Sequence, residues 1–461
     1  MKTKRFFSVF LLIALVMSLL CVPMASADET EPNIAQVPDI LAKAALLVDP
    51  ETDAVAYAKN EHDELYPASL TKIMTSLLVL EAVEDGKLSL DQEITASETA
   101  FVGLSADGSN AGIKAGEIMT VRNLLYCVLV VSANEACNIL AEAVSGSVEA
   151  FVEQMNQRAE ELGCENTHFA NANGLHNPDH YTSAWDLYLI TKEALKNETF
   201  ATISDTANVK IPATNLSGER NYWTTNHLLS TWRVIGYLDK RAHGIKTGST
   251  DEAGHCLVSS ATQGSMTYIS VILGAERVEE NGVGNIRSFS ETSRMFDYGF
   301  ENFTYKTIIE KTEPIKDVAV TLSKTDCVTV HPAKDVETLM PKGLNAEHLE
   351  RTVILTDETV EAPVQEGQKL GTLELSYDGK VYATVDLLAM NDVEASKALV
   401  FWRDVQEFFA KKSVRIAIVV LVVLILVFLI WKLLFGRRRS RYGRSASRRS
   451  GGGYRGRGRR F

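Results

Sequence analysis

The amino-acid sequence predicts an α+β fold for the body of the chain, with one antiparallel sheet and a helical middle. Strand-like segments with hairpin turns stand at both ends of the region 40–303, at 45–58 and at 255–274. Between them, apolar residues recur at helical spacing in several segments, at 73–80, 121–143, 147–162 and 184–195. A last helix is predicted at 284–298. Because strands that are distant in the chain can pair in one sheet, we expect the helices to pack on that sheet.

The N-terminal segment 1–27 has the features of a secretory signal. A basic start and an apolar run at 6–20 precede the small residues Ala25-Ser26-Ala27, a typical cleavage pattern. We expect cleavage before Asp28, followed by a linker at 28–39. An uncleaved anchor helix is the alternative.

The region after 303 differs in composition and predicts three further segments. Threonine and valine in short alternating runs, with turns such as Asp378-Gly379, predict a small all-β domain at 304–390. A helical, partly amphipathic connection follows at 391–415. The 20 residues 416–435 are apolar except for Lys432 and are long enough to cross a bilayer as one helix.

Charge is distributed unevenly along the chain. All 59 acidic residues lie between positions 28 and 410. An acidic body repels phosphate, which argues against a nucleic-acid partner. The tail 436–461 carries eleven arginines and no acidic residue, so the positive-inside rule predicts a cytoplasmic tail, an extracytoplasmic body and a single membrane crossing. RNA binding by the tail is the alternative to a role in topology and lipid contact.

The first candidate for chemistry is Ser69-Leu70-Thr71-Lys72, where the chain has its one Ser-x-x-Lys. The serine stands at a predicted helix start, and residues three apart share one helix face, so Lys72 can reach the Ser69 hydroxyl. A serine becomes a good nucleophile when a neighbouring base takes its proton, and a lysine is such a base only when its pKa is depressed. A capping serine beside a surface lysine is the alternative.

Two further motifs follow in chain order. Ser132-Ala133-Asn134 lies in the apolar segment 124–139, where polar side chains are costly unless they are partnered. Lys246-Thr247-Gly248 opens the strand-rich region. The Lys246 cation can hold a substrate carboxylate and lower the pKa of a nearby lysine, and Gly248 would let a substrate backbone approach the strand edge.

Taken together, these motifs resemble those of the serine-type penicillin-binding proteins and serine β-lactamases. The surrounding residues are similar to the low-molecular-mass D-alanyl-D-alanine carboxypeptidases over 40–390: Tyr66 to Thr75, Ser132 to Ala136, Asn173-Gly174-Leu175-His176, His180 to Ala184 with Asp186, and Lys246 to Thr250 with Gly254. Ala133 stands where β-lactamases have aspartate, and no Glu-x-x-x-Asn occurs in 150–185, so the resemblance favours a β-lactam-sensitive carboxypeptidase.

The resemblance implies a β-lactamase/transpeptidase-like domain and a role for each site residue. Ser69 would attack the penultimate D-alanine carbonyl of a peptidoglycan stem pentapeptide, and Lys72 would be its base. Ser132 would relay the proton to the leaving amine. Substrate would be bound by Asn134 at its amide, by Lys246 and Thr247 at its terminal carboxylate, and by an oxyanion hole made of the Ser69 and Ser249 backbone N–H groups.

No cofactor or metal is expected. The chain has no phosphate-binding glycine loop in a strand-to-helix setting. His176 and His180 have a spacing that suits metal ligands on a helix, but Asn177-Pro178 between them disfavours that helix.

The sequence leaves several functions open. A membrane-anchored D,D-carboxypeptidase is the leading hypothesis, and a D,D-endopeptidase acting on cross-links would use the same residues. A non-catalytic β-lactam sensor or a wall-binding protein is the alternative from another class, although the 26-residue tail is short for an effector domain.

Overall fold

The computed structural model describes residue 32 and residues 34–105, 108–280 and 283–435. The predicted signal segment 1–27 and the arginine-rich tail 436–461 lie outside the described residues.

The helices and strands of the described residues are numbered here in chain order. The helices are α1 Lys72–Glu84, α2 Val121–Tyr126, α3 Asn134–Ser145, α4 Val148–Glu161, α5 Ala184–Ala194, α6 Glu198–Ser204, α7 Arg287–Asn302, α8 Lys397–Ala410 and α9 Lys412–Phe435. The strands are β1 Ala44–Val48, β2 Val55–Lys59, β3 Glu93–Thr95, β4 Ile118–Thr120, β5 Asn208–Ile211, β6 Arg220–Trp223, β7 Ala242–Thr250, β8 Gly254–Gln263, β9 Met266–Ala275, β10 Arg277–Glu280, β11 Val283–Ile286, β12 Phe303–Ile309, β13 Lys316–Thr321, β14 Cys327–Pro332, β15 Val336–Pro341, β16 Glu350–Leu355, β17 Thr359–Glu361, β18 Lys369–Tyr377 and β19 Lys380–Ala389.

The predicted antiparallel sheet is confirmed. Its strand order is β2-β1-β9-β8-β7, so β1 of the N-terminal hairpin pairs with the chain-distant β9, with Val48 opposite Ile269. In β1, Leu46 and Val48 join the apolar cluster of the helical middle, whereas Ala45 and Leu47 join a second cluster that contains Phe296 of α7. Because side chains alternate between the two faces of a strand, this pattern buries the sheet on both sides. The continuous apolar run of β1 follows from that double burial.

The prediction of one continuous helix at 121–143 is wrong. Helix α2 ends at Tyr126, a π-helical turn runs from Cys127 to Val131, and Ser132 has a left-handed φ of 67° before α3 begins. The backbone N–H of Ala133 bonds back to the Cys127 carbonyl, so the α-helical ladder is broken here. Single π-helical turns and left-handed non-glycine residues are frequent at functional sites.

The helix predicted at 284–298 is displaced toward the C-terminus. Residues 283–286 pair with β10 as β11, and α7 then runs from Arg287 to Asn302. The other predicted helices and both predicted hairpins are confirmed, with ends that differ by a few residues.

Two compact units divide the described chain. The first comprises residues up to 314 together with 331–356 and 371–387, and it holds the five-stranded sheet and the pairs β12–β15 and β16–β18. The second comprises 315–330, 357–370 and the residues from 388, with β13 paired to β14 and β17. The predicted all-β character of the region after 303 is confirmed, whereas the predicted segment boundaries stay predictions.

The last described helix matches the predicted apolar span. Helix α9 has 24 residues, and its most apolar 18-residue stretch has a mean hydropathy of 3.2 and is not buried. Among the described residues it is the one helix that is long and apolar enough to cross a membrane. It follows directly on α8, which confirms the helical character predicted for the connection.

A substitution at Gly299 tests how closely α7 packs on the sheet. A Cβ there would lie 2.8 Å from the Tyr268 ring and 2.9 Å from a Leu47 methyl group. Gly299→Ala should therefore lower the free energy of unfolding by about 1–3 kcal/mol through overpacking. The control is Gly218→Ala, where a Cβ meets nothing within 4 Å. Thermal unfolding of both variants checks the prediction, and equal melting temperatures would contradict it.

Candidate active site

The Ser69 turn is held in an unusual conformation. A 3₁₀-helical turn from Ala68 to Thr71 precedes α1, and Ala68 has a left-handed φ of 48°. The Thr71 hydroxyl donates to the Ala68 carbonyl at 2.8 Å. Gly174 packs so closely here that a Cβ would come within 1.9 Å of the Ala68 carbonyl oxygen. A strained conformation of this kind persists only when the surrounding structure holds it in place. The contacts of Thr71 and Gly174 with Ala68 hold this turn.

His180 contributes to the same turn from a distant loop. Its Nδ1 accepts the backbone N–H of Ala170 at 3.0 Å, so Nε2 carries the proton and donates to the Thr71 hydroxyl at 2.7 Å. Burial lowers the pKa of His180 to about 3, which keeps the ring neutral. Both nitrogens of His180 are engaged within the protein, which disfavours the metal alternative for His176 and His180.

Lys72 joins three segments of the chain. It is fully buried, and its Nζ donates to Ser69 Oγ at 2.9 Å, to Asn134 Oδ1 at 2.8 Å and to the Asn173 carbonyl at 2.5 Å. The alternative of a surface lysine is wrong. Three donors meeting three acceptors satisfy the ammonium group, and the first acceptor is the candidate nucleophile.

The second motif is brought to the same place by the break after α2. The Asn134 backbone N–H donates to the Ser109 carbonyl, and its side chain meets Lys72. Asn138, one turn later, bonds to Asn173 and to the Ala100 carbonyl. The expectation that these amides need partners in an apolar segment is confirmed. Ser132 is 3% exposed and lines the same cavity as Ser69.

The third motif lies on β7, an edge strand of the five-stranded sheet. Lys246 is buried and its Nζ donates to the Thr247 carbonyl at 2.9 Å. A Cβ on Gly248 would lie 2.8 Å from the Pro67 carbonyl and 3.2 Å from the Ser69 nitrogen. The glycine is therefore needed first for the close approach of β7 to the Ser69 turn. This contact also brings the backbone next to Ser249 close to that of Ser69.

Both buried lysines have a lowered pKa. Burial lowers the pKa of Lys72 from its usual value to about 8. The pKa of Lys246 is lowered well below its usual value, first by burial and then by repulsion from Lys72. We expected the Lys246 cation to depress the pKa of Lys72. In the structure, burial instead lowers the pKa of Lys72, and repulsion from Lys72 contributes to the lowered pKa of Lys246.

One cavity of about 250 Å³ connects the three motifs. Its lining includes Ser69, Ser132, Thr247 and Ser249 of the predicted set. Lys72, Asn134 and Lys246 lie behind the cavity wall. Lys72 contacts Ser69, Asn134 contacts Lys72, and Lys246 contacts the Thr247 carbonyl. The structure thus brings all seven predicted residues to one site.

Sequence reasoning missed several residues that shape the site. The Asn173 carbonyl is an acceptor for Lys72, but a backbone carbonyl leaves no side-chain signal. Thr225 contacts Thr247, with 2.5 Å between the two hydroxyl oxygens, and His227 lines the cavity. Both stand outside any recognisable motif, and the fold brings them to the site.

Comparison with known proteins agrees with this geometry. Residues 31–277 match the D-alanyl-D-alanine carboxypeptidase family, and residues 303–395 match the penicillin-binding protein 5 C-terminal domain. The D-alanyl-D-alanine carboxypeptidase DacF of Bacillus subtilis is 33% identical over 360 residues, which cover 78% of this chain and 88% of that protein.

Solved structures show the same similarity. The structure of penicillin-binding protein 5 from Haemophilus influenzae superposes with a TM-score of 0.63 at 30% identity, covering 78% of this chain and 99% of that one. The Streptomyces K15 DD-transpeptidase superposes with a TM-score of 0.51 at 30% identity, covering 58% of this chain and all of that one. The family match, the shared fold and the converging Ser-Lys-Lys geometry lead to one conclusion: the chain belongs to the serine-type D-alanyl-D-alanine carboxypeptidases, among the low-molecular-mass penicillin-binding proteins.

Proposed function

We propose that this protein is a membrane-anchored D,D-carboxypeptidase that removes the terminal D-alanine from peptidoglycan stem pentapeptides through an acyl-enzyme on Ser69. The observation that carries the proposal is the 2.9 Å contact between Lys72 Nζ and Ser69 Oγ. With a pKa of about 8, Lys72 is available as an unprotonated base in part of the molecules at neutral pH, which an ordinary lysine is not.

In the acylation step, Lys72 takes the Ser69 proton as Oγ attacks the carbonyl of the penultimate D-alanine. Ser132, on the wall of the same cavity, passes a proton to the departing amine, and D-alanine leaves. Water then hydrolyses the ester and restores Ser69. The Ser69 and Ser249 backbone N–H groups would hold the oxyanion, and such a donor is worth about 3–4 kcal/mol.

Substrate binding follows from the remaining site residues. The Asn134 amide, fixed by its contact with Lys72, would bind the substrate amide. Lys246 and Thr247 would receive the terminal carboxylate. An incoming carboxylate favours protonated Lys246, so substrate would offset the repulsion that lowers the pKa of this lysine in the free enzyme.

β-Lactams would acylate the same serine and inhibit. A β-lactam presents a carbonyl and a carboxylate like those of the dipeptide, so Ser69 would open the ring in the acylation step. Release of that adduct needs a water activated for deacylation, and no Glu-x-x-x-Asn occurs in 150–185, where a β-lactamase would keep its deacylating glutamate.

Helix α9 would anchor the enzyme in the cell membrane, with the body outside and the arginine-rich tail in the cytoplasm. The length and hydropathy of α9 and the eleven arginines after it support this orientation. Peptidoglycan is the proposed partner, and the acidic body disfavours nucleic acid.

Replacement of the nucleophile is the first test. Ser69→Ala should abolish D-alanine release from a D-Ala-D-Ala peptide and covalent labelling by a fluorescent penicillin, because the attacking oxygen is gone. Ser89→Ala, at an exposed serine, is the control and should behave as wild type. Labelling that survives in Ser69→Ala would sink the assignment of the nucleophile.

The base should be visible in the pH profile. Since neutral Lys72 is the active form, the acylation rate should rise with pH and level off above about 8. Lys72→Ala should lower the acylation rate by about 10²–10⁴-fold and remove this pH dependence. The variant should still fold, which a thermal unfolding transition would show. Stopped-flow acylation by a chromogenic β-lactam across pH 5–10 gives the profile. A rate that stays flat through pH 8 in the wild type speaks against Lys72 as the base.

The anchor can be tested by truncation. A chain from Asp28 to Lys412 lacks the apolar span and should leave the membrane pellet with its carboxypeptidase activity intact. The full chain should need detergent for extraction. Retention of the truncated chain in the membrane pellet would show that another part of the protein also binds lipid.

A further inference from the structure

Hydroxyl groups supply most of the polar wall of the cavity. Besides the four predicted residues that line it, the lining residues with a hydroxyl are Ser109, Thr225 and Ser288. Among the described residues that line this cavity, none has an acidic side chain. A hydroxyl can donate a hydrogen bond, whereas a carboxylate can only accept one. The wall therefore suits a ligand that carries a carboxylate, as the terminal D-alanine of the proposed substrate does.

Thr225 and Thr247 form a pair of hydroxyl groups at this wall. Their oxygens are 2.5 Å apart, and both residues line the cavity. Within the described part of the chain, neither hydroxyl has another hydrogen-bond partner. Two hydroxyls have two protons, and the hydrogen bond between them uses one of these. One proton of the pair is therefore left for a ligand in the cavity.

The position of Thr225 is fixed from two sides. Its backbone N–H donates at 3.2 Å to the carbonyl of Val130, in the π-helical turn that leads to Ser132. The next residue, Asn226, is buried, and its side-chain amide donates to the Gly244 carbonyl of β7 at 2.6 Å. A threonine side chain is also stiff at χ1, because two heavy atoms branch from Cβ. The Thr225 hydroxyl is thus held between the turn before the second motif and the strand of the third.

The ligand decides which hydroxyl of the pair donates. When Thr225 donates to Thr247, the remaining proton belongs to Thr247, which follows Lys246 in the chain. A carboxylate at Lys246 and Thr247 selects this direction, because it accepts hydrogen bonds and donates none. Hydrogen bonds in a chain also polarise one another, so the bond from Thr225 strengthens the donation by Thr247.

We propose that Thr225 is a positioning residue for substrate recognition, whose hydroxyl donates to Thr247 and so turns the Thr247 proton toward the terminal carboxylate of the substrate. The inference rests on the proposed function, which places that carboxylate at Lys246 and Thr247. Thr225 then favours substrates that end in a free carboxylate over substrates that lack one. It acts through Thr247 and takes no part in the proton transfers at Ser69.

Two thioesters separate carboxylate recognition from the rest of the reaction. Both have the same N-acylated D-alanine as the acyl part. The leaving group is mercaptoacetate in one and ethanethiol in the other, so that a methyl group replaces the carboxylate. A thiolate leaves without needing a proton, so Ser69 can attack both carbonyls. Release of free thiol by the detergent-solubilised full chain gives kcat and KM for each thioester, and a D-Ala-D-Ala peptide is measured beside them.

Thr225→Val keeps the shape of the side chain and removes its hydroxyl. KM for the peptide and for the mercaptoacetate thioester should rise about tenfold, because a hydrogen bond to a charged group is weakened. The value of kcat should stay unchanged, since this contact is made equally in the ground state and the transition state. Turnover of the ethanethiol thioester should match wild type. Thr225→Ser should restore the wild-type KM, because the serine hydroxyl can donate from the same place.

Thr262→Val is the matched control. The Thr262 hydroxyl pairs with that of Thr267 at 3.0 Å on the exposed end of the β8–β9 hairpin, so its loss should change none of the three substrates. Equal losses on both thioesters in Thr225→Val would overturn the inference and leave the proposed function standing. An unchanged KM in Thr225→Val, or a raised KM that Thr225→Ser does not restore, would do the same. Failure of wild type to turn over the peptide and both thioesters would overturn the inference and the proposed function together.

Discussion

The hydrogen bonds of Lys72 Nζ hold the site together. They join the Ser69 turn, the segment after α2 and the loop before Gly174, which lie far apart in the chain. The ammonium group is fully buried, and burial of a charge is tolerated only when it is paired or hydrogen-bonded. Each of its three acceptors is therefore needed for the lysine to stay in place. The same burial lowers its pKa to about 8, so a single constraint both builds the site and makes the lysine a base.

Other features of the fold help to hold Ser69 and Asn134 in contact with the buried Lys72. The left-handed Ala68 aims the serine, and the neutral His180 supports that turn through Thr71. The left-handed Ser132 ends the preceding helix so that Asn134 can face the lysine. Each conformation costs free energy, typically 1–3 kcal/mol per strained residue. The two-sided packing of the five-stranded sheet supplies the rigid frame in which these conformations are held.

Much of this arrangement could be predicted from the sequence. The antiparallel sheet and most helices followed from hairpin turns and helical spacing, because such patterns are local. The seven site residues followed from three motifs together with the family resemblance that those motifs carry. The break at Ser132 could not be predicted, since the apolar period of 121–143 continues through it and the interruption depends on bonds to Cys127 and Ser109. The roles of Thr225 and the Asn173 carbonyl were likewise hidden, because tertiary contacts alone bring them to the cleft.

We infer that burial makes Lys72 a base at neutral pH, and titration of its Nζ group checks this. Nitrogen-15 NMR of the Nζ groups, assigned with Lys72→Arg, would follow this lysine in the free enzyme. We expect a midpoint near pH 8, well below the value of about 10.4 for an exposed lysine. A midpoint at or above 10.4 would contradict it, because Lys72 would then stay protonated while the enzyme works.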